Sequence, residues 1–542
     1  RDGLVAGIGG RADMERLAGP GAARVDLRGA TLLPGLVDTH PHLLHFGAFA
    51  FPLVDLADAR DHADIVRRLA TKAAATAAGE WVMATPIGEP HYFLRRSWRD
   101  LAEGALPDRH VLDRATRDHP VFLQAWAPVT PNVCAFNSAA LTRLGLTRDT
   151  PDRVDDVWIE KDDAGEPTGI LRGSVNNYYG NDAFMSSLLR QIPLLDPTAV
   201  LPGAVAAMAA YHRMGVTAIY EGHAMGAMEI AAYGMLRESG QLKLRVLTAL
   251  EAEPYGLPWM QPLSDAEFHA NLEQALAMAA RADPWLRHDG VTLSRGGPCW
   301  PGFLRMHQPY RGPYGDETRG VTFVSDAKEE AAIAFCAARG LRLNFIGAGY
   351  RDHDDFLPRA EAAAARWPVR EAGWILQHAY LVTAEQARRY ARLGFRVTTS
   401  LSFAWGKGDL MGERIGPQVW DDLIPLRRLL DAGMPVGCGT DWGPKNVFEH
   451  IALAEQPRFC VSGHSNRGPA QTVTRAEALA MWTVEAARVL GWDGIGRLAS
   501  GGGADLTVVD RDPLTCPLDA LPDTAVLRTV VGGEVVHDSG AL

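Results

Sequence analysis

The sequence predicts an α/β chain built on a (β/α)8 barrel of the TIM type, with a β-sandwich made from both termini and an insert after the first strand. Three observations lead there. Short apolar runs alternate with longer amphipathic stretches, the runs number eight, and the first of them ends on paired histidines.

The eight runs are Leu32–His40, Val216–Glu221, Leu244–Leu250, Val291–Ser294, Leu341–Phe345, Trp374–His378, Arg396–Ser400 and Pro435–Asp441. Each is short, apolar and closed by small or polar residues, as buried parallel strands are. Ala327–Arg339 before Gly340 and Thr383–Leu393 before Gly394 read as helices, because glycine just past a helical run is the common C-terminal stop. Roughly 175 residues separate the first run from the second, far more than one crossover needs. Ser97–Leu101, Val121–Trp126 and a hairpin turn at Gly165–Thr168 ahead of Ile170-Leu171 therefore mark an inserted sub-domain over about residues 52–205, above the barrel mouth. Residues 1–33 carry short alternating patterns such as Arg24-Val25-Asp26-Leu27. Residues 490–542 hold Ala504–Asp510 and Leu527–Val531, then Gly532-Gly533 before Glu534–His537, a hairpin signal. These two ends make the composite β domain and leave 34–489 to the barrel.

Composition narrows the function. The chain has 542 residues, 47% hydrophobic and 22% charged, an ordinary globular mix. A formal charge of -11 and the lack of a basic run argue against nucleic acid or an anionic membrane. No apolar stretch approaches the ~18 residues of a membrane span. A small-molecule substrate is the expected partner, and a homodimer stays open. Six cysteines without a C-x-x-C pair exclude a disulfide framework and a thiolate zinc finger, and fit a reducing, cytoplasmic setting.

Asp38-Thr39-His40-Pro41-His42 is the strongest local signal. On a strand, residues i and i+2 share a face, so His40 and His42 would aim two imidazoles at one point. The C-terminal ends of barrel strands are where active sites are built, and such a pair suits zinc or a similar divalent ion. Tyr220-Glu221-Gly222-His223 after the second run places Glu221 or His223 where either would face the pocket, and Glu251 ends the third. After the fourth run, Arg295–Gly315 carries Trp300, Phe303, Tyr310 and Tyr314 among Gly and Pro residues, in the manner of a lid loop. With Trp126, Phe403 and Trp405, these residues suggest an aromatic portion of the substrate.

Leu33-Pro34-Gly35-Leu36-Val37-Asp38-Thr39-His40-Pro41-His42 resembles the P-G-x-x-D-x-H-x-H opening of the metal-dependent amidohydrolase superfamily, and Gly439-Thr440-Asp441 resembles its G-S/T-D ending. Gly503–Asp510 and Thr529–Val536 are similar to its terminal β strands. Asn137–Leu141 and Gly165–Leu171 are similar to the insert of the amidohydrolase-3 (YtcJ-like) group, which includes N-substituted formamide deformylases. The resemblance implies metal ligands at His40, His42, His378 and Asp441. It also implies a strand-four lysine and a strand-five histidine, where this chain has Thr292 and Asn344. One ion, most simply zinc, is therefore expected rather than two. Asp441 would handle the water's proton, His378 would be another ligand or the donor to the leaving nitrogen, and Asn344 would bond the substrate carbonyl, with Glu221 and Trp300 lining the substrate. The expected activity is hydrolysis of a non-peptide C–N bond in a small amide or N-substituted formamide. The alternative is a degenerate centre that binds a ligand or catalyses isomerisation, cyclisation or decarboxylation.

Overall fold

Eight parallel strands form the centre of the molecule: β1 Leu36–Asp38, β2 Val216–Glu221, β3 Arg245–Glu251, β4 Leu286–Ser294, β5 Leu343–Ile346, β6 Ile375–Gln377, β7 Arg396–Thr399 and β8 Val436–Cys438. The structure, a computed structural model, describes residues 1–88, 97–126, 129–180, 182–256, 260–280, 283–296 and 302–542. The strands pair in the order β8-β7-β6-β5-β4-β3-β2-β1. The remaining seam is bridged where the Thr39 amide donates to the Cys438 carbonyl at 3.1 Å and the Asp441 amide to the His40 carbonyl at 2.7 Å. This is the expected (β/α)8 barrel. Every residue of β2 and β3 is buried, which is why these strands read as continuous apolar runs without alternation.

Seven of the eight runs fall on a barrel strand, Val216–Glu221 with the same ends and the others with ends shifted by a few residues. The first divides. Thr31–Pro34 pairs antiparallel with Leu506–Val509 in the terminal sheet, and only Leu36–Asp38 belongs to the barrel. Gly35 between them passes so close to β2 that a Cβ would lie 2.2 Å from Thr217 Oγ1. Apolar periodicity alone cannot show that break, since both halves are apolar in sequence.

The terminal layer has strand order Thr31–Pro34, Leu506–Val509, Val526–Val531, Glu534–Asp538, all antiparallel. Gly532 and Gly533, at φ 58° and 83°, make the two-residue hairpin turn, for which positive φ at both positions is required. The sheet lies on the barrel, with a helix as its neighbouring layer where a sandwich implies a second sheet. Thr529 Oγ1 donates to the His212 carbonyl and Thr507 Oγ1 to the Gly215 carbonyl, both at 2.7 Å. Residues Arg24–Leu27, which read as a strand, pair with nothing in a named sheet, and the N-terminal segment contributes a helix at Arg11–Ala18. Val25 is exposed, so its alternation has no face to bury.

Between the helices Leu43–Ala50 and Val200–Arg213 lies a six-stranded sheet ordered Val82–Ala84, Val121–Leu123, Asn132–Phe136, Pro167–Gly173, Val157–Lys161, Arg153–Val154. The turn at Gly165 joins Val157–Lys161 to Pro167–Gly173 as a hairpin. One apolar cluster spans insert and barrel mouth, with Trp126, Tyr178 and Tyr179 from the first against Phe49, Phe303 and Trp442 of the second. Among the described residues no helix is long and apolar enough to cross a membrane.

The helix that follows His42 crosses Val200–Arg213 at a glycine pair. A Cβ on Gly203 would lie 2.3 Å from the Gly47 carbonyl oxygen, and one on Gly47 2.5 Å from that of Gly203. Gly203→Leu is therefore expected to overpack the crossing by about 1–3 kcal/mol. Thermal unfolding would show a melting temperature about 1–3 °C lower, and an unchanged midpoint would contradict the crossing.

Candidate metal centre

The donors come from turns just beyond three strand ends. At β1, Asp38 is the last strand residue, and His40 and His42 lie past it. His42 has φ 50°, in the left-handed region, and caps the helix Leu43–Ala50. The two imidazoles therefore meet through a turn and not through the i, i+2 alternation of a strand. At β6, His378 follows the strand with φ 70°, and at β8 Asp441 follows Gly439-Thr440 with φ 53°. Three of the four candidate ligands thus occupy a conformation that costs a non-glycine residue of order 1–3 kcal/mol, a strain that collects at functional sites.

A buried carboxylate fixes these turns. Asp38 Oδ1 accepts from the His40 amide at 2.9 Å and the Thr440 amide at 3.1 Å, while Oδ2 accepts from Thr440 Oγ1 at 2.6 Å. Gly439 passes so tightly beneath that a Cβ there would lie 2.4 Å from the His40 nitrogen. Burial raises Asp38 to about 6, against the lowering effect of these bonds.

His40 Nε2 and His42 Nε2 lie 3.0 Å apart, and Asp441 Oδ1 is 3.1 Å from the first and 3.2 Å from the second. Ligand atoms of His40, His378 and Asp441 all fall within 4.8 Å of one another, and all three residues are buried. Burial holds His40 below its ordinary value and His42 and His378 well below it, so the imidazoles are neutral. Burial works to raise Asp441, but hydrogen bonds from His40 and His42 hold it well below the usual carboxylate range. Neutral imidazoles and an ionised carboxylate are the states that bind a divalent cation. The donor set fits one.

Below the donors, Thr292 Oγ1 donates to the Gly222 carbonyl at 2.6 Å, and Asn344 Nδ2 donates to that carbonyl, to Gln377 Oε1 and to Thr292 Oγ1. Asn344 is fully buried with its amide nitrogen committed, so it lies in the floor and offers no donor to a substrate carbonyl. Glu221 also turns away from the mouth: its Oε1 accepts from Tyr233 OH at 2.6 Å and from the Leu44 amide at 3.1 Å. Of the pair flanking Gly222, His223 is the residue that faces the donors, with ring centroids 5.9 Å from His40 and 5.2 Å from His42. Its Nδ1 lies 3.2 Å from Glu251 Oε2. Trp300 lies outside the described residues.

A cavity of about 520 Å³ opens beside Trp442, the residue after Asp441, and is lined by Phe46, Trp126, Trp405, Trp442, Lys445 and Glu449. Trp442 is in contact range of both sides, its ring 5.7 Å from His42 and 4.6 Å from Tyr178. Lys445 Nζ donates to the Thr440 and Asp441 carbonyls, and burial lowers its amine to about 7. Sequence reading gave no role to Asp38, Lys445 or Tyr179. Asp38 stands inside the P-G-x-x-D opening and had that signal, whereas Lys445 and Tyr179 had none.

Fold and donor cluster together define a barrel hydrolase. The chain matches the amidohydrolase family over residues 23–537 and belongs to that family. It is 27% identical over 559 residues to the N-substituted formamide deformylase of Arthrobacter pascens, covering 99% of this chain and 94% of that protein. It is 22% identical over 546 residues to the putative amidohydrolase YtcJ of Bacillus subtilis, covering 99% and 95%. The fold superposes with a TM-score of 0.70, at 20% identity, on the crystal structure of an uncharacterized metal-dependent hydrolase from Pyrococcus horikoshii, covering 96% and 94% of the two chains. The chain is thus an enzyme that hydrolyses C–N bonds other than peptide bonds.

Burial raises Glu221 from 4.5 to about 7, offset in part by its bonds to Tyr233 and Leu44. A carboxyl whose folded value is raised binds its proton in the native state where the unfolded chain has lost it. Stability then falls as pH rises between those two values and is flat above them. Glutamine keeps the acceptor oxygen and removes the charge. Glu221→Gln is expected to match the parent near pH 4 and to melt higher at pH 8, with the gap opening between about 5 and 7. A gap independent of pH would show that Glu221 does not carry this cost.

Proposed function

We propose that this enzyme uses one divalent cation, most simply zinc, to hydrolyse the C–N bond of a small amide or N-substituted formamide bearing an apolar or aromatic group on nitrogen. The observation that carries the reading is the convergence of His40, His42 and His378 on the Asp441 carboxylate at the barrel mouth. A cation held by these four would supply Lewis acidity toward the carbonyl and lower the pKa of water towards ~7. Thr292 and Asn344, bonded to each other and to the Gly222 carbonyl, supply neither an imidazole nor a charged group for a second ion.

Asp441, kept ionised, receives the proton that the attacking water sheds. The C–N bond then breaks with its electron pair on nitrogen, and Asp441 returns the proton there. His378 holds the donor cluster from the sixth strand, its ring 4.9 Å from that of His40. The cavity beside Trp442, walled by Trp126, Trp405 and Phe46, suits the apolar group on nitrogen. Similarity to the formamide deformylase over nearly the whole length, at 27% identity, supports the amide class.

Elemental analysis of protein purified without chelator should find close to one divalent ion per chain. His40→Ala and Asp441→Asn should each lower kcat/KM on an amide panel by about 1000-fold or more, a loss on the scale of the ~10²–10⁴-fold of a lost acid–base group with metal affinity added. Product masses should show the addition of water. Undiminished turnover by metal-stripped protein would end this reading, and product with the substrate's own mass would replace hydrolysis with isomerisation.

A further inference from the structure

Imidazoles that ligate a metal nearly always donate their other ring nitrogen to a carboxylate, carbonyl or water, which sets the plane of the ring. Among the described residues, His40 and His42 have no such protein partner. With their Nε2 atoms turned to Asp441, both Nδ1 atoms are buried and have no hydrogen-bond partner among the described residues. What the described residues offer to orient these rings is packing. The group packed on both is His223: it stacks on His40 at 5.9 Å and 29° and stands edge-on to His42 at 5.2 Å and 70°.

His223 is itself bonded at both ring nitrogens. Nδ1 lies 3.2 Å from Glu251 Oε2, and that carboxylate is held in turn by the Ala224 amide at 3.1 Å and by Ser294 Oγ at 3.2 Å. Nδ1 donates to Glu251 Oε2, and Nε2 accepts from the Tyr179 hydroxyl. Tyr179 comes from the inserted sub-domain. Its loop is held by buried amides, Asn132 Nδ2 to Asn176 Oδ1 and Asn177 Nδ2 to Gln124 Oε1, each at 2.8 Å. The Tyr179 amide donates to the Gly256 carbonyl at 2.6 Å.

We propose that Glu251, His223 and Tyr179 form the positioning unit of the metal centre, holding the planes of His40 and His42 by ring packing and making the seating of the insert a condition for tight metal binding. The proposal rests on the reading of His40 and His42 as ligands. His223 is a positioning residue here and not a fifth ligand, since its Nε2 is taken by Tyr179.

The probe is Co2+, added to metal-stripped protein and followed by its visible absorption and by competition with a chromophoric chelator. Removal of an outer-shell partner of a metal histidine costs about 10–100-fold in affinity. His223→Ala should raise the Co2+ Kd by that factor and shift the absorption bands. His223→Phe, which keeps a flat ring, should recover part of the affinity. Glu251→Gln and Tyr179→Phe should each give a smaller rise with the melting temperature nearly unchanged, and they carry the test if His223→Ala does not fold. Unmoved affinity and spectrum in the folded variants would overturn this proposal alone. Complete loss of Co2+ binding in both His223 variants would overturn it by making His223 a ligand. A parent chain that takes up no Co2+ would overturn the metal reading together with this one.

Discussion

The bonds of the Asp38 carboxylate are the constraint on which the mouth of the barrel depends. One buried side chain accepts from the backbone of the β1 turn and from both the backbone and hydroxyl of the β8 turn. Those turns carry His40, His42 and Asp441, so a single group sets the distance between donors about 400 residues apart in sequence. It also helps to close the barrel, alongside the backbone bonds that the Thr39, Asp441 and Gly443 amides make across the seam between β1 and β8. Lys445 braces the same β8 turn from its other side through the Thr440 and Asp441 carbonyls.

The centre is held by a stiff frame and not by its own local preferences. His42, His378 and Asp441 all stand at positive φ, a backbone state that surrounding contacts must enforce. Gly439 gives the space for one of those contacts, since a methyl group there would strike His40. Beneath the donors, Thr292 and Asn344 both donate to the Gly222 carbonyl and Asn344 also donates to Gln377, giving a polar floor in a low-dielectric interior. Above them, tryptophan and tyrosine rings from the insert and the β8 turn form the wall toward the cavity. Enclosure on both sides keeps the imidazoles neutral and favours ligation over protonation.

Much of the frame was legible before any coordinates. Val216–Glu221 appears in the chain as an unbroken apolar run and is a barrel strand with those same ends. Asp326–Arg339 and Ala384–Leu393 stop at Gly340 and Gly394, each in the left-handed conformation that favours glycine. The less legible parts are those where neighbours distant in sequence decide. Leu32–His40 reads as one strand because both halves are apolar, yet Gly35 sends them to different sheets. Glu221 and His223 flank one glycine and look equivalent, but Tyr233 and the Leu44 amide draw the first outward. Asn344 has the chemistry to bond a carbonyl, and the floor network has already spent its donors.

By itself the sequence determined the barrel, the pairing of the terminal hairpin and the identities of the candidate metal donors. The barrel, the hairpin and the His40–His42 pair follow from periodicity, turn chemistry and local side-chain chemistry, whereas His378 and Asp441 came from the family resemblance. Only the tertiary structure decided how the donors meet: through left-handed turns past the strand ends, clamped by Asp38, with His223 packed on two of them and a tyrosine supplied from the insert. Burial and hydrogen-bond partnership are set by residues hundreds of positions away, and a linear chain carries no record of which groups will share an interior.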